Sequence, residues 1–192
     1  MQKIDFNKEN HTYKVDGKEL PSVTTITSIL SNLEYKDIDK EILKRAAEKG
    51  TAVHKAIEQL ILYGDYELDI KYEPYMCQFR EALEKEKFQT KKTEFMLTDG
   101  EVCGTLDNMS IMDDKVIIID YKTTVTVHKK LLEAQFGGYK KLCDANGIKV
   151  DKWYGLFLRP SRNHYKFLEI EPNVEIFDKC KEIYNYMKEK EN

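Results

Sequence analysis

The sequence predicts a mixed α/β domain: a central mixed sheet whose antiparallel meander is followed by a crossover helix, flanked by helices. Three observations point there. Residues 93–98, 102–111 and 115–122 read as consecutive strands, and Val116-Ile117-Ile118-Ile119-Asp120-Tyr121 is apolar on both faces, as a central strand is. An amphipathic stretch at 127–145 separates this meander from strands at 153–158 and 165–170. A right-handed crossover returns the first of these parallel to the meander. Finally, 192 residues with 41% hydrophobic and 11% aromatic content fill one core, and no repeat or Pro/Gly/Ser linker divides them. One domain over 1–192 is expected, with an N-terminal hairpin and helices over 1–90 and the sheet with its helices over 91–192.

Taken in order, His11-Thr12-Tyr13-Lys14-Val15 and Lys18-Glu19-Leu20 flank Asp16-Gly17, a strong hairpin turn. Ser22, after Pro21, caps a short helix through Leu30. Residues 39–63 form a helix on apolar positions Ile42, Leu43, Ala46, Ala47, Val53, Ile57, Leu60 and Ile61, with a break or bend at Gly50-Thr51. A helix at 73–87 precedes the strands. The crossover helix opens at Thr126 and closes at Asn146-Gly147, and a last helix covers 173–190.

Composition excludes several classes. Lys plus Arg number 31 against 34 Asp plus Glu, a formal charge of −3, which does not suit coating of nucleic acid or anionic lipid by bulk charge. No run approaches the ~18 apolar residues of a membrane span, and Met1-Gln2-Lys3-Ile4-Asp5 lacks a leader's apolar core. The expectation is a cytoplasmic chain. Cys77, Cys103, Cys143 and Cys180 form no CxxC knuckle and read as plain core or surface thiols, with no iron–sulfur cluster.

Strand register places chemistry at one point. If 102–111 and 115–122 form a hairpin around Asp113-Asp114, Met112 faces Lys115 and Asp107 faces Asp120. Their Cβ atoms would then lie roughly 5 Å apart, with Lys122 on the same face. Opposed carboxylates in a buried sheet need a compensating cation, a shared proton or Lys122 itself. Mg²⁺ or Mn²⁺ is the natural partner for carboxylate oxygens; a structural salt bridge at a strand end is the plain alternative. Gly50, His54 and Glu58 share a helix stripe. His54 is either a satisfied core imidazole or a ligand beside the carboxylates, and Glu58 either its supporting partner or solvated surface. Gln135 and Tyr139 also share a helix face. The Gly137-Gly138 pair between them, costing about 1 kcal/mol each relative to Ala, points to close approach by backbone or ligand.

These residues resemble a family. Gly50-x-x-x-His54, Gly104-Thr105-Leu106-Asp107, Asp120-Tyr121-Lys122-Thr123 and Gln135-x-x-x-Tyr139, in that order over about 90 residues, resemble the RecB-like branch of the PD-(D/E)XK nuclease superfamily. Pro21-Ser22-Val23-Thr24-Thr25 looks like its small phage-type members and the mitochondrial genome-maintenance exonucleases. The resemblance implies a restriction-endonuclease-like core. It also implies His54, Asp107, Asp120 and the Tyr121 carbonyl as ligands of Mg²⁺ or Mn²⁺, and Lys122 as the catalytic lysine beside Asp107 and Asp120. Gln135 and Tyr139 would line the site, contacting substrate or supporting the lysine, and Glu94 matches an acidic position of relatives. Leu106 stands in place of the superfamily's proline, and Asp120 where many members have Glu.

The function implied is a metal-dependent exonuclease on single-stranded or end-bearing DNA in recombination, repair or phage DNA processing, bacterial or phage-encoded. Alternatives are a structure-selective endonuclease on the same core and a catalytically silent nucleic-acid-binding module. Recombination or replication proteins are the partners to be expected, no membrane is, and oligomeric state stays open. Charge is segregated accordingly: residues 122–166 carry ten Lys/Arg, Lys129 and Lys130 among them as candidate substrate contacts, against Glu133, Asp144 and Asp151. That stretch suits a groove for a phosphate backbone or an ordinary solvated face.

Overall fold

The computed structural model describes residues 4–7 and 12–189. Met1 to Lys3 of the leader reading, His11 of the expected hairpin and Lys190 of the closing helix lie outside the described residues. Strands β1 (Ile4–Asn7), β2 (Thr12–Val15) and β3 (Lys18–Leu20) form a small antiparallel sheet. Its turn is the expected one, with Asp16 and Gly17 both at positive φ. Two helices follow, α1 (Val23–Glu34) and α2 (Lys40–Tyr63), then α3 (Glu73–Glu86). The large sheet takes β4 (Gln89–Thr98), β5 (Cys103–Met112), β6 (Lys115–Lys122), β7 (Lys152–Phe157) and β8 (Lys166–Glu169), in that spatial order. Among the described strands of this sheet only β6 and β7 run parallel, joined through the crossover helix α4 (Lys129–Ala145); α5 (Val174–Glu189) follows β8.

β6 explains the layering. Ile117, Ile119 and Tyr121 join Val53, Ile57 and Phe79 in a core under α2 and α3. Ile118 joins Val23, Phe136, Trp153 and Phe177 in a second core under α1, α4 and α5. The strand is apolar on both faces because both faces are covered. The small sheet packs Tyr13, Val15 and Leu20 on Cys103 at the start of β5. The β5–β6 register is the expected one, Met112 opposite Lys115 through Asn108 opposite Ile119, around an Asp113-Asp114 turn in which both residues have positive φ.

Several elements differ from expectation. α1 runs four residues past Leu30, its cap at Ser22 holding as expected through Thr25 N–H at 2.9 Å. α2 passes through Gly50-Thr51 unbroken. One glycine costs about 1 kcal/mol in a helix, and burial of Val53, Ala56 and Ile57 one turn on offsets it. The first half of α2 buries nothing: Ile42 is 59% exposed, and Leu43, Ala46 and Ala47 are not core residues. β4 begins at Gln89, four residues early. Thr126 does not open α4; its carbonyl accepts from the Thr124 hydroxyl, and His128 stands at the cap without a side-chain bond. Gly137 and Gly138 serve close packing, not a ligand. A Cβ on Gly137 would lie 2.2 Å from the Asn173 carbonyl oxygen, and one on Gly138 2.6 Å from the Phe177 ring. The four cysteines are free, Cys77 exposed and the others buried.

Because α1 lies on one face of the sheet and α2 on the other, residues 35–39 cross from face to face. They do so near the C-terminal end of β6. Tyr35 and Lys122 line one cavity on the α1 side, and Lys49 Nζ of α2 donates to the Thr123 carbonyl at 3.2 Å. Among the described residues no helix is long and apolar enough to cross a membrane.

Candidate active site

The site forms where strand alternation breaks. In β4–β5, Thr93 pairs with Asn108 and Phe95 with Leu106, but Glu94 and Asp107 between them leave the ladder. Residues two apart in a strand normally share a face. Here Asn108 pairs with Ile119 of the α2–α3 core, while Leu106 and Phe95 belong to the opposite one. Glu94 makes the break on its strand with a φ of +46°, a left-handed conformation uncommon for a non-glycine residue and rarer inside a strand. On the partner strand the Asp107 carbonyl accepts from the Thr93 hydroxyl at 3.0 Å. β5–β6 pairing likewise ends at Asn108–Ile119.

Asp107 is thereby released from the sheet. Its Oδ2 accepts from Tyr121 N–H at 2.8 Å and lies 3.5 Å from His54 Nδ1. His54 Nε2 is 2.8 Å from the Tyr121 carbonyl. A carbonyl can only accept, so Nε2 carries the hydrogen and Nδ1 is left toward Asp107. The Tyr121 ring packs edge-on to both His54 and Phe79, fixing the imidazole. His54, Glu94 and Asp107 offer ligand atoms that all lie within 4.8 Å of one another. One imidazole and two carboxylates fit a hard to borderline divalent ion.

Asp120 belongs to a second group, facing α4. Its Oδ2 is 2.6 Å from Lys122 Nζ, an ion pair without hydrogen-bond alignment, and its Oδ1 accepts from Gln135 Nε2 at 2.8 Å. Lys122 Nζ also donates to Gln135 Oε1 at 3.2 Å. Burial pushes the Asp120 carboxyl up to about 6; Lys122 opposes the rise and the Asp107 charge adds to it. Burial works against the Lys122 ammonium, but Asp120 and Asp107 prevail and hold its pKa above the ordinary lysine value. The expected face-to-face pairing of Asp107 with Asp120 is therefore replaced by two adjoining groups, a His–Glu–Asp cluster and an Asp–Lys–Gln cluster. The cause is the broken alternation at Asp107.

Other expectations also need correction. Glu94 lies with the candidate ligands instead of among substrate contacts. Glu58 does not support His54, whose nitrogens face the Tyr121 carbonyl and Asp107. Tyr139 is 5% exposed, packs its ring over Gly104 and meets Gln135, the partner of Lys122, which fits the supporting role of the two alternatives expected for it. Lys129 and Lys130 are exposed on the first turn of α4, Lys129 near Glu133 at 3.7 Å, and neither joins the cluster. Part of the basic stretch is engaged within the chain. Lys122, Lys129, Lys140, Lys141 and Lys152 are ion-paired and Arg159 is buried against His164. Sequence reading missed Tyr13, whose phenol meets the Thr105 hydroxyl at 2.8 Å and feels the charges of Glu94 and Asp107. It missed Lys49 and Tyr35 as well. Only tertiary packing brings these residues to the site.

No family model matches the chain, and no curated protein matches it. Among solved structures it is similar to SSO0001, at 16% identity and a TM-score of 0.46, over 90% of this chain and 79% of that one. It is similar to a phage related exonuclease from Haemophilus somnus 129PT, at 14% identity and a TM-score of 0.41, over 85% and 89% of the two chains. A third likeness is to an alkaline exonuclease, LHK-Exo, from Laribacter hongkongensis, at 13% identity and a TM-score of 0.38, over 70% and 82%. Each likeness is partial, and the chemistry of the site is carried by its own side chains.

Proposed function

We propose that the chain is a divalent-metal-dependent deoxyribonuclease, an exonuclease acting on single-stranded or end-bearing DNA in recombination, repair or phage DNA processing. One observation carries this reading: a His54–Glu94–Asp107 ligand cluster adjoins a lysine held by Asp120 and Gln135. His54, Glu94 and Asp107 would hold Mg²⁺ or Mn²⁺, with Asp120 and the Tyr121 carbonyl beside them. Bound there, the ion would polarise the scissile phosphate and acidify a water.

The chain's own residues do the rest. Lys122, kept protonated by Asp120 and Asp107, offers a fixed positive charge to the phosphate as negative charge builds on it. Gln135 fixes that charge by bonding both members of the pair, and Tyr139 fixes Gln135. The Tyr121 carbonyl holds the His54 ring so that Nδ1 points at the cluster. Whether the enzyme needs a free end is decided by the substrate, linear or circular.

The test is digestion of end-labelled linear and circular DNA, single- and double-stranded, with Mg²⁺ or Mn²⁺. Loss of linear strands with circles spared is the expected result. Degraded circles would favour the endonuclease, and untouched DNA of every form would leave only a binding module.

A further inference from the structure

α1 and its C-cap Tyr35 carry a polar stripe that runs from the exposed Thr24 through the buried Thr27. Thr24, Thr27, Ser31 and Tyr35 recur at spacings of three and four and so share one helix face. That face lines a cavity of about 270 Å³ between α1 and the start of α4. Hydroxyl-bearing faces of helices usually look to water. Here they oppose an apolar wall of Leu131, Leu132 and Phe157, and Lys122 stands at the border with the active site.

The polar groups are specified more narrowly than their residue types suggest. Thr27 Oγ1 gives its hydrogen to the Val23 carbonyl and Ser31 Oγ to the Ser28 carbonyl, each at 3.0 Å. Both oxygens are therefore left as acceptors, suited to N–H groups of a base or O–H groups of a sugar. Lys122 supplies the complementary cation for a phosphate. The apolar wall suits the flat face of a base. About 270 Å³ is slightly below the roughly 300 Å³ at which pockets begin to take drug-sized ligands, which leaves room for one nucleoside unit and not two.

We propose that this cavity is a mononucleotide subsite, holding the single nucleotide next to the scissile phosphate and retaining it after cleavage as a deoxynucleoside monophosphate. The product role rests on the nuclease reading of the adjoining site. Hydrolysis adds water across one phosphodiester, leaving phosphate on one fragment and a hydroxyl on the other; the subsite holds the one-nucleotide fragment with its phosphate toward Lys122.

The experiment titrates dAMP, dTMP and inorganic phosphate into the full chain by calorimetry, in EDTA, beside a nuclease assay on the same preparation. Both nucleotides should bind more tightly than phosphate. Ser31→Leu, which fills the cavity from α1, should weaken them about tenfold or more with the melting temperature retained. Thr124→Leu fills it from the opposite side and serves if Ser31→Leu does not fold. Absent nucleotide binding, phosphate binding as tight as nucleotide, or affinities unchanged in the filled variants would each overturn the subsite. Nucleotide binding without any DNA degradation would instead overturn the nuclease reading and the product role, while the titration still decides whether the cavity takes a nucleotide.

Discussion

The meander has two halves built from the same strands. From Asn108–Ile119 to Met112–Lys115 the β5–β6 ladder is regular, and Ile117, Ile118 and Ile119 alternate between two cores. One step beyond, at Glu94 and Asp107, pairing ends on the β6 side of β5 and skips one pair on the β4 side, and the faces invert. The regular half satisfies its backbone by pairing and its side chains by burial. The irregular half spends backbone bonds to free a carboxylate. Asp107 then takes the Tyr121 N–H that a strand partner would otherwise have taken, which leaves its second oxygen for a ligand. One stretch of sheet is built for stability and the next is not.

Substitutions should separate the two halves. Asp107→Ala or Lys122→Ala is expected to reduce DNA cleavage by a factor on the order of 1,000 or more, with far-ultraviolet circular dichroism and cooperative unfolding retained. Ile118→Ala, in the regular half, should do the reverse. It should cost about 2–5 kcal/mol of stability in urea unfolding, while cleavage per folded molecule stays near wild type. Full activity in both site variants would sink the assignment of roles. Inactivation by Ile118→Ala at full folding would deny that the halves are separable.

The same division governs what the sequence discloses. The turn at Asp113-Asp114, the β5–β6 register that follows from it and the double burial of β6 are local consequences of residue alternation, and they are legible. So is the spacing that brings Gln135 to Tyr139 on one helix face. The inversion at Glu94 is not. A glutamate at positive φ carries no compositional mark, and extrapolating alternation through it aims Asp107 at Asp120 instead of at His54. The exposure of Ile42 is equally hidden, because apolar periodicity continues along α2 through a first half that contributes nothing to the core. Tyr13 reaches the cluster only through the packing of the small sheet on β5. Pattern gives an element's face; it does not say which stretch of that face is covered.

A smaller effect tests the second cluster. Asp120 ionises at about 6 in the fold against an ordinary 3.8, first because of burial. Between those values the folded chain holds the extra proton, so this carboxyl lowers stability as pH rises through the window. The slope is at most about 1.4 kcal/mol per pH unit. Glu73, Glu169 and Glu175, whose pKa values are lowered by hydrogen bonds to neighbouring side chains, titrate in the opposite sense. The quantity to measure is therefore the difference between wild type and Asp120→Asn in EDTA from pH 4 to 6.5. The variant should gain relative stability as pH rises; a constant difference would mean that Asp120 ionises as an ordinary aspartate.

The smallest expected effect is the most diagnostic of how the irregular half works. If the break in β4 is held against backbone preference, Glu94→Gly should relieve it, because glycine adopts a φ of +46° without the Cβ penalty. It also removes a carboxylate that lies close to Asp107. Relief of the left-handed backbone is worth about 1 kcal/mol to the metal-free protein, set against what glycine adds to the entropy of the unfolded chain and the loss of the Glu94 side chain's own interactions. The rise in melting temperature that Mn²⁺ gives wild type by binding the folded state should shrink at the same time, as one ligand is gone. Glu94→Gln separates the two contributions, since it keeps the strained backbone and changes only the charge. If Glu94→Gly is less stable than Glu94→Gln without metal by more than the roughly 1 kcal/mol that glycine adds to the entropy of the unfolded chain, no strain is relieved at residue 94, and the inversion belongs to the sheet's own packing.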